Sequence, residues 1–293
     1  MSTILLEGKP VAEAIYDKAM KTAKALEAQG VTPVVALVRV GENPADISYE
    51  NSIKKNMAKG GVSAVSATLS QGTTTEKVLE TIDTLNKSPL VHGIMLFRPM
   101  PEHIDGEWIR HSIHPAKDVD GITDMSLGGV FTGSGIGFAP CTAQAVIEML
   151  DYYGVELRGK KVAVVGRSLV IGKPVSMLLN ERDATVTLCH SRTPKLAEVT
   201  READIVVLAT GRAKAYGPEY FAPHQTVIDV GINTDPSTGK MCGDVDFGMV
   251  APKVAAITPF PAVWVRLPLQ CWSATLWKQL RRQRSASNGI PEY

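Results

Sequence analysis

The chain has 293 residues, with 31 Lys and Arg against 30 Asp and Glu and a net charge of +1. That length suits about two domains, each able to bury a core without disulfides or metal, and the near-neutral charge gives no long-range field for nucleic acid or an anionic membrane surface. Four cysteines without a CxxC pair suit reduced thiols, no apolar run approaches the ~18–20 residues of a membrane span, and no signal-peptide core opens the chain, so a soluble cytoplasmic protein with no metal is expected.

In chain order, helix-period and strand-like segments alternate, the pattern of an α/β chain with a largely parallel sheet. The spacing predicts a helix over Pro10–Gln29, with Val11, Ile15, Ala23 and Leu26 on one face and Gly30 as its stop. The β-branched run Pro33–Val40 predicts a buried strand, closed by a turn over Gly41–Pro44. A helix over Ile47–Lys59, a strand over Ser63–Leu69, a helix over Thr73–Leu85 and a strand over Leu90–Phe97 follow. The Gly-rich stretch Leu127–Gly137 reads as a loop or hinge between two halves, and the next helix covers Thr142–Tyr153 with Thr142 placed to cap it. The second half predicts a strand over Lys161–Val165, a turn over Gly166–Gly172, a helix over Lys173–Asn180 and a strand over Thr185–Cys189. Further strands fall over Asp204–Ala209 and Thr226–Val230, and no internal repeat is visible.

The strongest local signal is Lys160–Thr193. An apolar strand ends at Gly166, and Gly172 lets backbone approach at the start of a helix whose exposed amides and positive end suit a diphosphate. The spacing is G-x5-G, so the generic G-x-G-x-x-G fingerprint is not met and a tight βα connection is an equal reading. An NAD site commonly has an acid ~20 residues past the glycines. Here the second strand runs into His190-Ser191-Arg192 with no acid, and Arg167 and Arg192 are cations suited to a 2′-phosphate, which favours NADP. In the first half, Tyr49, Asp120 and the turn around Pro99 and Pro101 fall at or just beyond strand ends, where open α/β sheets hold ligands. Asp120 also reads as a turn cap. The residues alone thus reach a two-domain, nucleotide-dependent α/β protein and name no substrate.

Taken together, nine segments from Gly8 to Pro261 resemble the methylenetetrahydrofolate dehydrogenase/methenyltetrahydrofolate cyclohydrolase family. They are Gly41-Glu-Asn-Pro44 with Tyr49, Gly93-Ile94 leading to Arg98-Pro-Met-Pro101, Lys117-Asp-Val-Asp-Gly121, Pro140-Cys-Thr142, Val165-Gly-Arg-Ser168 with Gly172-Lys-Pro174, Cys189-His-Ser191, Asp229-Val-Gly231, Gly243-Asp-Val-Asp246 and Ile257-Thr-Pro259. The resemblance implies an N-terminal catalytic domain over 1–140, a Rossmann-like NADP domain over 141–261, a folate cleft between them and a homodimer. It implies that Tyr49 contacts the folate, that Asp120 binds the pterin's donor groups, and that Gly166, Arg167, Ser168, Gly172, Ser191, Arg192 and Ile232 hold NADP. The first implied reaction is hydride transfer from 5,10-methylenetetrahydrofolate, which needs positioning more than acid–base chemistry. The second is hydrolysis of the methenyl product to 10-formyltetrahydrofolate.

For that hydrolysis the family assigns a lysine four residues after the tyrosine and a glutamine on the third strand. These positions hold Ile53 and Phe97. Lys54 is the nearest candidate substitute, with Lys55 beside it, although a helix turns Lys54 ~100° from the face of Ile53. The dehydrogenase activity is therefore expected to be intrinsic and the cyclohydrolase weak; a folate- or nucleotide-binding protein without turnover is the other reading. The tail over 262–293 departs as well. It holds five basic residues, one acid and three of the four tryptophans. One back-translation of Ala262–Trp272, with a single G restored in front, reads Gly-Gly-Val-Gly-Ala-Val-Thr-Thr-Ala-Val-Leu, the family's segment, so a frameshifted tail is expected.

Overall fold

The computed structural model describes residues 2–28 and 30–259. Along the chain these form β1 (Ile4–Leu5), α1 (Gly8–Glu27), β2 (Val34–Val40), α2 (Pro44–Lys59), β3 (Ser63–Leu69), α3 (Thr75–Lys87), β4 (Gly93–Leu96), α4 (Gly106–Ser112), α5 (Asp124–Thr132) and α6 (Cys141–Tyr152). Then come β5 (Lys161–Val165), α7 (Gly172–Asn180), β6 (Thr185–Cys189), α8 (Leu196–Arg201), β7 (Ile205–Leu208), β8 (Thr226–Asp229), β9 (Asn233–Thr234), β10 (Met241–Cys242), α9 (Phe247–Val250) and β11 (Ala256–Ile257). Two compact α/β units result. One takes Glu13–Cys141; the other takes the described residues up to Ala12 together with those from Thr142 onward.

In the first unit, β3, β2 and β4 form a parallel sheet in that order. Val35, Ala36, Leu37 and Val38 of the central β2 are fully buried, which is why this segment reads as a continuous apolar run rather than an alternating one. Ala36, Val38, Ile94 and Leu96 pack with Val78 and Ile82 of α3 and Ile109 of α4. Helix α2 starts where Asn43 accepts from the Ala45 amide, with Pro44 in the first turn, and α3 starts where the Thr74 hydroxyl accepts from the Lys77 amide.

The second unit carries a six-stranded parallel sheet in the order β1-β11-β8-β7-β5-β6. From β5 the chain steps outward to β6 and then back across β5 to β7, β8 and β11. The switch in direction lies beside the carboxyl ends of β5 and β7, where doubly wound sheets bind ligands. Val165, Val206, Leu208, Val227 and Ile257 form the centre of its core.

Several expectations need correction. The Gly-rich stretch over Leu127–Gly137 is not a loop for most of its length: α5 runs through it to Thr132. Thr123 caps that helix by accepting from the Ser126 amide, and a Cβ on Gly129 would collide with the Ile136 carbonyl, so the glycine serves close packing rather than freedom. Thr142 is not the cap of α6, because the helix begins one residue earlier at Cys141. The strand near Leu90 is shorter than its apolar run, Gly93–Leu96. Sequence periodicity also missed the short α4 and α8 and the two-residue strands β1 and β11, whose parallel pairing puts the first residues into the second unit's sheet. The atypical tail from Ala262 lies outside the described residues. No helix among the described residues is long and apolar enough to cross a membrane.

Candidate functional site

In the first unit, the expected folate residues gather beyond the end of β4. Phe97 follows that strand, and its ring meets Tyr49 of α2 edge to face, with centroids 6.0 Å apart. Tyr49 remains 43% exposed. Burial of its phenol, with further contributions from Asp120 and Cys141, pushes its pKa up to about 12, so it is a neutral hydroxyl at any physiological pH.

The segment Lys117-Asp-Val-Asp-Gly121 separates structural from accessible charge. The Lys117 ammonium donates to the carbonyls of Leu85, Asn86 and Ser88 at 2.7–2.9 Å, closing the end of α3. Asp118 is fully buried and accepts from the amides of Ile122 and Thr123 and from the Ser126 hydroxyl. It, not Asp120, is the turn-forming acid. Asp120 is half-buried, its side chain 21% exposed, with the Arg98 guanidinium 3.6 Å away.

The substituted positions are equally distinct. Ile53 is fully buried and Phe97 is 6% exposed, so neither offers a proton-transfer group. Lys54 sits elsewhere: its ammonium is 2.8 Å from a Glu50 carboxylate oxygen and donates to the Ser66 hydroxyl on β3. Because β2 lies between β3 and β4, Lys54 is held at the edge of the sheet opposite Phe97. Arg39 of β2 completes the cluster, its Nε 2.8 Å from the other Glu50 oxygen, and Ser66 also bonds Glu50. Burial opposes the Glu50 charge, but hydrogen bonds from Lys54, Ser66 and Arg39 outweigh it and hold the carboxyl at about 2. This anchor was not foreseen, because its members lie on three elements.

In the second unit, Gly166 follows β5 with φ 124°, and its amide donates to the Cys189 carbonyl at 2.9 Å. A Cβ on Gly172 would collide with the Gly166 carbonyl, so the turn closes only with glycine at the start of α7. Ile171, ahead of α7, supplies no capping side chain, and the Ser168 hydroxyl accepts from the Ile171 amide at 3.2 Å. Arg167, Ser168, Ser191 and Arg192 are exposed on the loops after β5 and β6. No acid follows β6 in that loop; the His190 ring accepts from the Arg192 amide. Beyond the ends of β7 and β8 a cavity of about 270 Å³ is lined by Thr142, Ile171, Ala209, Gly211, Val230, Gly231 and Ile232. It combines apolar walls with backbone polar groups, which suits a flat amphipathic ring, and the uncapped helix with two arginines suits phosphates, so the residues present fit a phosphorylated dinucleotide.

Two carboxylates missed by sequence reasoning shape that cavity. Asp244, fully buried, accepts from the Thr210 amide at 2.6 Å, the Thr210 hydroxyl at 2.8 Å, the Arg212 amide at 2.9 Å and the Asn233 side chain at 2.9 Å. Asp229 accepts from the amides of Gly231, Asp244 and Val245, while burial above all pushes its pKa up to about 6. Asp229-Val-Gly231 and Gly243-Asp-Val-Asp246 were visible as motifs, but only the fold reveals that they fasten the cavity's loops.

Comparison with known proteins matches both units. A family model described as the tetrahydrofolate dehydrogenase/cyclohydrolase catalytic domain covers residues 6–120, and one described as the NAD(P)-binding domain of the same enzymes covers residues 140–265. The chain is 45% identical over 259 residues to bifunctional protein FolD 1 of Desulfitobacterium hafniense, covering 88% of this chain and 92% of that one. Among solved structures, the bifunctional FolD enzyme of Campylobacter jejuni matches with a TM-score of 0.91 at 33% identity, covering 96% of this chain and 100% of that one. The Trypanosoma brucei methylenetetrahydrofolate dehydrogenase-cyclohydrolase, solved with NADP cofactor and inhibitor, matches with a TM-score of 0.88 at 31% identity, covering 97% and 99%.

Proposed function

The chain belongs to the tetrahydrofolate dehydrogenase/cyclohydrolase family, and from that membership we infer that it oxidises 5,10-methylenetetrahydrofolate to 5,10-methenyltetrahydrofolate with NADP, hydrolysis to 10-formyltetrahydrofolate being a second and slower activity. The observation that carries this reading is the pairing of an exposed Tyr49 with a half-buried Asp120 carboxylate at one strand end. Asp120 would accept from the pterin's N–H donors, as a carboxylate suits paired donors, and the Tyr49 ring would cover the folate and exclude water.

In the second unit, Arg167 and Arg192 would hold the 2′-phosphate, with Ser168 and Ser191 beside them. Gly166 and Gly172 let the backbone approach the diphosphate, and Ile232 lines the cavity suited to the nicotinamide. When bound, NADP supplies the hydride acceptor. The chain's own part is to fix the folate's methylene carbon and keep the site dry, since the folate nitrogen's lone pair drives hydride departure.

Hydrolysis asks for a proton relay. Ile53 and Phe97 hold no exchangeable proton, and Lys54 is committed to Glu50 and Ser66. These facts support a weak cyclohydrolase. They do not favour a binding protein without turnover, because both substituted positions bear on hydrolysis and not on hydride removal. A homodimer is supported by the exposed Thr185, Thr187 and Leu188 on β6, the edge of the second sheet. Buried thiols at Cys141, Cys189 and Cys242 support a cytoplasmic setting.

The test is NADPH absorbance in a mixture of protein, NADP and 5,10-methylenetetrahydrofolate. A steady rise that needs all three is expected; no rise overturns the reading. Formyl product made from methenyltetrahydrofolate should be unaffected by changing Lys54 and Lys55 together to Met. A large loss in that variant would show that a lysine does serve the hydrolysis.

A further inference from the structure

Arg98 is a charged residue at the folate site to which the proposed reaction gives no task. It follows Phe97 at the end of β4, its side chain is 38% exposed, and its Nη2 lies 3.6 Å from Asp120 Oδ2, whose side chain is 21% exposed. The pair is open enough to be reached by a ligand and close enough to share charge. Of the side chains around this strand end, Tyr49 is neutral, and Ile53 and Phe97 are apolar.

The reaction changes the charge of the folate ring. 5,10-Methylenetetrahydrofolate is neutral at its reacting carbon, and loss of hydride leaves a methenyl cation. A carboxylate with no cation beside it would bind that product more tightly than the substrate and hold it, which matters most in a site with weak hydrolysis. A guanidinium beside the carboxylate counters this preference, since it repels the cation and weakens the field of the acid. We propose that Arg98 is a positioning and specificity residue that, through Asp120, equalises the site's affinity for the neutral substrate and the cationic product, so that methenyltetrahydrofolate leaves unhydrolysed. This rests on the folate reading of Asp120.

The test compares wild type, Arg98→Met and Arg98→Lys for binding of 5,10-methenyltetrahydrofolate and of tetrahydrofolate, whose ring is neutral. Arg98→Met should tighten the cation relative to tetrahydrofolate by about three- to tenfold, the size expected of a partly exposed charge. Arg98→Lys should keep the wild-type ratio, and added salt should shrink the Met effect because the charge is screened. A purely structural role would weaken both ligands together and show no salt dependence. An unchanged ratio in Arg98→Met, or an equal shift in Arg98→Lys, overturns the proposal. Failure of the wild-type protein to bind either folate overturns instead the functional reading beneath it.

Discussion

Glu50→Gln removes one charge from the buried cluster that anchors α2 to its sheet. The substitution keeps the shape but leaves Arg39, 9% exposed, without its counter-charge and frees Lys54. Glu50 has its carboxyl lowered from 4.5 to about 2 in the folded protein. At about 1.4 kcal/mol per unit, the ionised carboxylate contributes roughly 3 kcal/mol at neutral pH, close to the about 3–5 kcal/mol that breaking a buried ion pair costs. The sign follows from linkage. A carboxylate whose folded pKa is depressed stabilises above its unfolded value and loses that contribution as pH falls through the folded one. Urea unfolding followed by circular dichroism should therefore show wild type more stable than Glu50→Gln by about 2–4 kcal/mol at pH 7. The gap should be intact down to about pH 5 and should shrink as pH falls from there towards 2. A gap below about 1 kcal/mol at pH 7, within the range of an exposed pair, or one that does not change with pH, would refute the reasoning. The variant also frees Lys54 without placing it at Ile53, so formyl production should not rise.

Gly172→Ala puts a methyl group against the Gly166 carbonyl; NADP affinity should fall at least tenfold while folate affinity is kept, as titration of each ligand alone would reveal. Replacing Arg192 with Asp exchanges a cation suited to a 2′-phosphate for an acid suited to a 2′-hydroxyl. The ratio of kcat/KM for NADP over NAD should drop by about 10- to 100-fold, because a charge-assisted hydrogen bond to the phosphate gives way to repulsion between two anions. Sequencing the gene across the codon for Ala262 should reveal the segment Gly-Gly-Val-Gly in a neighbouring frame; its absence there would dismiss the frameshift.

The outline of both units was legible because their strands are β-branched runs and their helix starts carry caps, as at Asn43 and Thr74. What escaped was non-local. Burial separates Asp118 from Asp120 within one five-residue motif, and no spacing rule distinguishes them. Lys54 became a candidate substitute because it adjoins Ile53 in sequence, whereas its partners Glu50 and Ser66 form one cluster only after β3 pairs with β2. Helix α5 was hidden because Gly128 and Gly129 lower helix propensity, while the compensating approach to Ile136 is tertiary. Strands β1 and β11 pair across most of the chain and are too short to show a period.

The most direct test of the account follows both products of one reaction, NADPH and the folate species, from the first turnovers of the purified protein on 5,10-methylenetetrahydrofolate and NADP. NADPH and methenyltetrahydrofolate should appear one for one, with formyl product trailing well behind. Formyl product keeping pace with NADPH from the start would contradict the reading of Ile53 and Phe97, and no NADPH at all would contradict the assignment of the reaction itself.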